Sequence, residues 1–369
     1  MPAVLATDAG VMWTYTLTTF LSALLLFSVQ PMFAKMVLPV LGGSPSVWAV
    51  AMFFFQAALL AGYCYAHLLI HRTSPAITGY VHIGLCALAF LVALPFGLPK
   101  GWGEPPPGEP YLWQIGLFTI AIGLPFVAVA ANAPLMQAWF ARTGHKNAAD
   151  PYFLYAASNL GSLIALLAYP FVLEPLFGLR ALARVWAFGF VLLAAALALS
   201  WWLMRERLAL VPATPVRKAA ARQPDEPAPT WAQRLGWVGL ALVPSALLTA
   251  YTTHVSTDVA SAPLVWVLPL SLYLLTFVLV FRERSLIPRR LLLILHLASV
   301  LVALMLLSQT KVENWTIAAV SGVVVFFLSA MVAHRTSPTN IGMGLLAILA
   351  AHDLGFIGMD ELLGRTDAL

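Results

Sequence analysis

Ten apolar stretches, separated by short polar loops, constrain the fold of this chain more than any other feature. Each is long enough, or nearly so, to cross a hydrocarbon core, which takes about 20 residues of α-helix. Lipid offers the backbone no hydrogen-bond partner, so these stretches must be helices, and the alternating pattern of a barrel is absent. The predicted spans are Trp13–Ala34, Val47–Leu69, Ile77–Phe96, Tyr111–Phe140, Tyr152–Leu173, Val185–Met204, Leu235–Thr253, Pro263–Phe281, Leu291–Leu307 and Trp315–Ala333.

The scarcity of charge agrees with this interpretation. Charged residues make up 9% of the 369 residues, against about 25% in soluble domains. This excludes a soluble enzyme and predicts an all-α, polytopic membrane bundle whose partner is the lipid bilayer. The basic residues lie in short clusters between apolar stretches, as topology signals do, and do not indicate nucleic-acid binding.

The distribution of basic residues predicts the orientation. With a cytoplasmic N-terminus, 15 of the 20 basic residues fall on the cytoplasmic side. The positive-inside rule selects this orientation. Ten spans then place both termini in the cytoplasm, and the predicted location is the bacterial inner (plasma) membrane.

A segment rich in Pro, Ala and charge divides the chain. Residues 205–234 have no apolar periodicity and are predicted to form a disordered, basic cytoplasmic linker. The predicted domains are a first membrane half of six helices (1–204), this linker, a second half of four helices (235–334) and a short cytoplasmic tail (335–369).

A short internal repeat supports two related halves. Ser44-Pro45-Ser46-Val47-Trp48 and Ala262-Pro263-Leu264-Val265-Trp266 share Pro, Val and Trp at a constant offset of 218 residues. Many transporters consist of repeated halves. The repeat would give a parallel 6+6 bundle that lacks two spans in its second half.

Three long blocks carry a resemblance to a known family. They are FLSALLLFSVQPMFAKMVLPVLGGSPSVWAV from Phe20, DPYFLYAASNLGSLIALLAYPFVLEPLFGL from Asp150 and HVSTDVASAPLVWVLPLSLYLLTFVLVFRER from His254. They resemble bacterial fused major-facilitator/spermidine-synthase proteins over about residues 13–334. The resemblance implies a truncated major-facilitator-like 6+4 bundle and an association with polyamines.

The chain departs from that family after His334. The family continues into further spans and a cytoplasmic domain similar to aminopropyltransferases, with a Rossmann-type nucleotide site. Here no Gly-rich strand-to-helix fingerprint occurs. We therefore expect no enzymatic activity and no cofactor, and any synthase chemistry would need a separate partner chain.

The last 34 residues have a different character. Their sequence TSPTNIGMGLLAILAAHDLGFIGMDELLGRT resembles a segment of glycoside-phosphorylase-like enzymes, including cyclic glucan synthases. Its apolar core of about eleven residues is too short to span a bilayer. A chimeric product joined near His334 is the favoured hypothesis, and a cytoplasmic tail that docks on the bundle or a partner is the alternative.

Polar side chains within the spans are the candidate solute and proton pathway, because such groups are costly in hydrocarbon. His254 and Asp258 are four residues apart at the outer end of span seven. On a continuous helix they share a face, where the carboxylate would hold the imidazole and exchange a proton. Alternatively, Asp258 caps the next helix and His254 is interfacial.

Four more candidates lie in the first half. Gln30 and Lys35 occupy the outer end of span one, which should face His254 and Asp258 if spans one and seven line a central cavity. The alternative for this pair is a proline kink with a snorkelling lysine. Asn132 and Asn159, in spans four and five, are more typical of interhelical hydrogen bonding than of solute binding.

The function predicted from the sequence is transport, or sensing, of a small polar or cationic solute, with a polyamine favoured by the resemblance. The alternatives are a membrane anchor or scaffold for a spermidine-synthase-like partner, and a truncated or chimeric fragment without function. The sequence contains no metal-ligand spacing, Walker loop or nucleophile elbow.

Overall fold

The computed structural model describes residues 7–42, 44–99, 101–102, 105–106, 110–148, 151–210, 231–232, 235, 242, 246, 248–252, 267–280, 287–308 and 315–336. The described residues form helices and no strand. The chain divides into two compact units, Met1–Val216 and Arg217–Leu369.

The first unit contains six apolar segments. We number their helices α1 (Asp8–Leu41), α2 (Pro45–Arg72), α3 (Pro75–Ala93), α4 (Pro110–Phe118), α5 (Leu124–Ala130), α6 (Asn132–Phe140), α7 (Tyr152–Ala168), α8 (Glu174–Leu176) and α9 (Leu179–Leu210). Two π-helical turns, Thr119–Gly123 and Tyr169–Leu173, connect α4 to α5 and α7 to α8. Spans four and five are therefore each continuous helical rods with a widened turn inside.

Seven helical segments among the described residues are long and apolar enough to cross a membrane. They are Asp8–Leu41, Ser46–Arg72, Pro75–Ala93, Pro110–Phe140, Phe153–Leu176, Leu179–Ala209 and Arg289–Leu306. The described helices confirm the prediction of an all-helical fold, and these segments are compatible with an integral membrane protein. The count of ten stays a prediction, because span seven is described only in part, the described helix of span eight has 14 residues, and the apolar part of the span-ten helix covers only Val320–Val332.

The ends of the first helix follow from local chemistry. Predicted to cover Trp13–Ala34, it begins at Asp8, where the Thr7 hydroxyl accepts a hydrogen bond from the Gly10 amide at 3.1 Å. It ends at Leu41, because Gly42 adopts φ 74°, a conformation that favours glycine. Helix α9 likewise continues to Leu210, so residues 205–210 of the predicted linker are helical.

The core of the first unit lies around α1, which packs mainly against α7 and α9, while α2 packs against α5 and α3 against α9. Buried rings meet edge to face between α1 and α4, with the Phe33 and Phe118 centroids 5.0 Å apart. The outward faces are also apolar: Leu91 and Phe171 are 78% and 76% exposed. Such a surface is suited to lipid contact.

The second unit is described through three helices, α10 (Val267–Val280), α11 (Arg289–Ser308) and α12 (Trp315–Thr336). Helix α12 packs against both others, and Leu292 and Met331 form a small buried core. The His296 ring nitrogen Nε2 lies 2.8 Å from the Ser329 hydroxyl, which links α11 to α12 by a hydrogen bond.

Candidate functional site

Two ion pairs lie near opposite ends of α1 in the first unit. Arg207 on α9 donates to the Asp8 carboxylate at 2.8 Å, and Lys35 near the other end of α1 pairs with Glu174 of α8. These anchors are 27 residues apart in the sequence, about 40 Å along a helix. A bilayer with its head groups is about 40–45 Å thick, so a membrane-spanning α1 would hold both ion pairs at head-group depth.

A buried polar network lies midway between them. Ser22 is 14 residues from Asp8 and 13 from Lys35. Its hydroxyl accepts a hydrogen bond from the Asn132 side-chain amide at 3.0 Å and donates to the Val129 carbonyl at 3.4 Å. The Asn132 Oδ1 lies 2.7 Å from His82 Nε2. Three spans are therefore joined at the level that would be the membrane midplane.

The network fixes the protonation of the imidazole nitrogens. An amide oxygen can only accept, so His82 Nε2 must carry the hydrogen in this contact. In the neutral ring Nδ1 is then a bare acceptor, and it has no hydrogen-bond partner among the described residues. His82 itself is 0% exposed. A buried polar atom without a partner is rare and calls for a physical reason.

A second unpaired group lies beside this imidazole. The ring of Tyr65 on α2 is 5.9 Å from that of His82, and its buried hydroxyl also has no partner within the part of the chain described. Cys86, one turn after His82, places its sulfur 3.9 Å from Nε2. The network thus presents two unused polar atoms on two neighbouring helices.

Local backbone features bring these side chains together. Asn132 begins α6 directly after Ala131, which separates it from α5. Alanines surround this break, and α2 approaches closely: a Cβ on Gly62 would be 2.6 Å from the Cβ of Ala130 and 2.9 Å from the Val127 carbonyl oxygen. Small residues therefore let α2, with Tyr65, lie against the helix pair that carries Asn132.

The other sequence-predicted candidates of the first unit have different surroundings. The Gln30 amide donates to the Leu26 carbonyl of its own helix at 3.4 Å. Asn159 is half-buried and makes no side-chain hydrogen bond within the described residues. Asn132 therefore joins helices as the sequence suggested, whereas Asn159 has no such bond here.

The ion pair near the C-terminal end of α1 joins spans one and five. The Lys35 ammonium donates to the Glu174 carboxylate, and the two side chains are 32% and 26% exposed. Tyr169 lies at the start of the preceding π turn, with a buried hydroxyl that lacks a partner among the described residues. His254 and Asp258, the predicted companions of Lys35, lie outside the described residues.

Sequence reasoning did not identify His82, Tyr65 or Glu174 as site residues. The signal for the Lys35–Glu174 pair was present: opposite charges at the same end of two parallel, odd-numbered spans. No comparable signal existed for His82, because a single histidine in an apolar helix does not reveal its partner.

Among the described residues, no group of three or more His, Cys, Asp or Glu side chains is placed to hold a metal ion. No known family model matches this chain, and no curated protein or solved structure is similar to it.

Proposed function

We propose that this protein transports a small polar or cationic solute across a membrane. The arrangement in this proposal is a truncated major-facilitator-like bundle of about ten helices, in a 6+4 order, in the bacterial inner membrane with both termini cytoplasmic. A polyamine is the favoured solute on the strength of the resemblance of the three sequence blocks alone.

One observation carries the proposal: His82 Nδ1, in the network of Ser22, Asn132 and His82, and the neighbouring Tyr65 hydroxyl have no hydrogen-bond partner among the described residues, at the level that would be the membrane midplane. Polar groups are costly in hydrocarbon, and a buried acceptor without a hydrogen bond adds to that cost. A solute that donates hydrogen bonds would satisfy both this nitrogen and the Tyr65 hydroxyl oxygen. Transporters hold their solutes at this depth.

Transport would follow from alternating access, in which the site opens to each side of the membrane in turn. The predicted pair of His254 and Asp258 would then couple protons to the solute. This coupling remains a prediction, because both residues lie outside the described part of the chain.

Uptake of labelled spermidine into proteoliposomes under a pH gradient tests the proposal. We expect uptake by the intact chain and a loss of about tenfold or more in His82→Phe, since one lost hydrogen bond of about 1.4 kcal/mol has that effect. His67→Phe is the matched control, because His67 is exposed on α2. It should leave uptake unchanged.

Two outcomes would contradict the proposal. Uptake by the intact protein no greater than by empty liposomes would remove transport of this solute and favour the membrane-anchor alternative. Equal uptake by His82→Phe and His67→Phe, with both variants monodisperse on size exclusion, would show that the network of Ser22, Asn132 and His82 is not needed for transport.

A further inference from the structure

The Lys35–Glu174 pair has features that a structural ion pair does not require. Both side chains are partly exposed, and a partly exposed pair contributes little to stability because water and salt screen it. It is therefore easily replaced by another cation. The pair also lies at the end of α1 where water would have access in a membrane-spanning unit.

The backbone around Glu174 is unusual. The Glu174 amide donates to the Tyr169 carbonyl across five residues, the hydrogen bond of a π turn. This wider turn brings residues 169 and 174 onto the same face of the helix, one turn apart. In an α-helix, a spacing of five residues would rotate them apart by more than a third of a turn around the axis. Such turns occur often at functional sites.

The Tyr169 hydroxyl gives this face an unsatisfied polar group. Tyr169 is 0% exposed and its hydroxyl has no hydrogen-bond partner among the described residues. The Lys35 ammonium makes no hydrogen bond to this oxygen. A solute ammonium on Glu174 that lies nearer to the π turn can donate one.

Lys35 shows which cation fits. Its side chain is a primary ammonium on four methylene groups, and this ammonium is bound to the Glu174 carboxylate in the structure. An alkylammonium solute presents the same group with the same three donors.

We propose that Glu174, assisted by Tyr169, binds the primary ammonium of an alkylamine solute, and that Lys35 fills this site when no solute is bound. The proposal names the end group of the solute in the proposed function and rests on that function for its biological meaning. When the solute binds, Lys35 moves away on its flexible side chain and its ammonium is solvated by water.

Carbodiimide labelling of Glu174 tests this site in the full-length protein. In Lys35→Met, a variant of similar length without the charge, dicyclohexylcarbodiimide should modify Glu174 faster than in the unaltered chain. The probe ligand is n-butylammonium, which reproduces the lysine side chain. At about four times its dissociation constant it should slow labelling roughly fivefold, because only the free site reacts. Mass spectrometry of the Glu174 peptide gives the rate.

Three controls make the result specific. Asp8, paired with Arg207 at the other end of α1, is an internal reference whose labelling n-butylammonium should not change. Tetramethylammonium has the charge but no N–H donor and should protect Glu174 less. In Lys35→Met/Tyr169→Phe, protection by n-butylammonium should weaken.

Equal protection by the two cations, or none in Lys35→Met, would overturn the proposal. The experiment measures binding without transport, so the two proposals fail separately. Protection without spermidine uptake would leave an amine site in a protein that does not transport this solute. Spermidine uptake without protection of Glu174 would mean that the solute binds elsewhere, for example at the network of Ser22, Asn132 and His82.

Discussion

At the scale of single residues, Asn132 connects three helices in the interior of the first unit. Its amide nitrogen donates to Ser22 on α1, and its amide oxygen accepts from His82 on α3. One side chain therefore forms hydrogen bonds to two neighbouring helices. Hydrogen bonds between membrane helices are worth roughly 0.6–2 kcal/mol. The gain is modest, but removal of the amide takes the Asn132 hydrogen bond from His82 and one of the two hydrogen bonds of Ser22.

We therefore expect Asn132→Leu to lower the free energy of unfolding by about 0.6–2 kcal/mol. Denaturation in mixed micelles with increasing sodium dodecyl sulfate measures it. Gln56→Leu is the matched control, because Gln56 is exposed on α2, and it should be neutral. A neutral Asn132→Leu would show that the amide contributes no net stability.

At the scale of helices, close packing depends on glycines at particular positions. A Cβ on Gly161 would lie 2.5 Å from the carbonyl oxygen of Phe20, a backbone atom of α1. This contact explains why α7 can lie against α1 along most of its length. Gly161 lies two residues after Asn159, for which the sequence favoured a role between helices.

Gly161→Ala should therefore force α7 away from α1. We expect a loss of about 1–3 kcal/mol in the free energy of unfolding, as for overpacked cores, read as a lower melting temperature in detergent. Gly84→Ala on α3 is the control, because nothing lies within 4 Å of its added Cβ. That change should be neutral or stabilising by up to about 1 kcal/mol, since alanine favours helix. Similar effects of both changes would refute the packing argument.

At the scale of the whole molecule, the sequence predicted what depends on the solvent and missed what depends on tertiary contacts. Apolar length located the six spans of the first unit, because lipid allows only helices. It could not give the helix ends at Thr7 and Gly42, which local capping decides. It also could not pair Asn132 with His82, 50 residues away in sequence, since one sequence alone does not determine which helix faces meet.

Sided labelling of single cysteines tests the topology of the whole chain. The background is Cys64→Ser, in which the remaining Cys86 is buried. Pro106→Cys and Lys146→Cys each place an exposed thiol in one of two successive loops. Thr366→Cys places a thiol in the tail. The positive-inside distribution predicts that an impermeant maleimide labels Pro106→Cys in intact cells and labels the other two only after permeabilisation. Labelling of Thr366→Cys but not Lys146→Cys in intact cells would require an odd number of spans between them. That result would overturn the ten-span topology, because an even number of crossings must return the chain to the side from which it started.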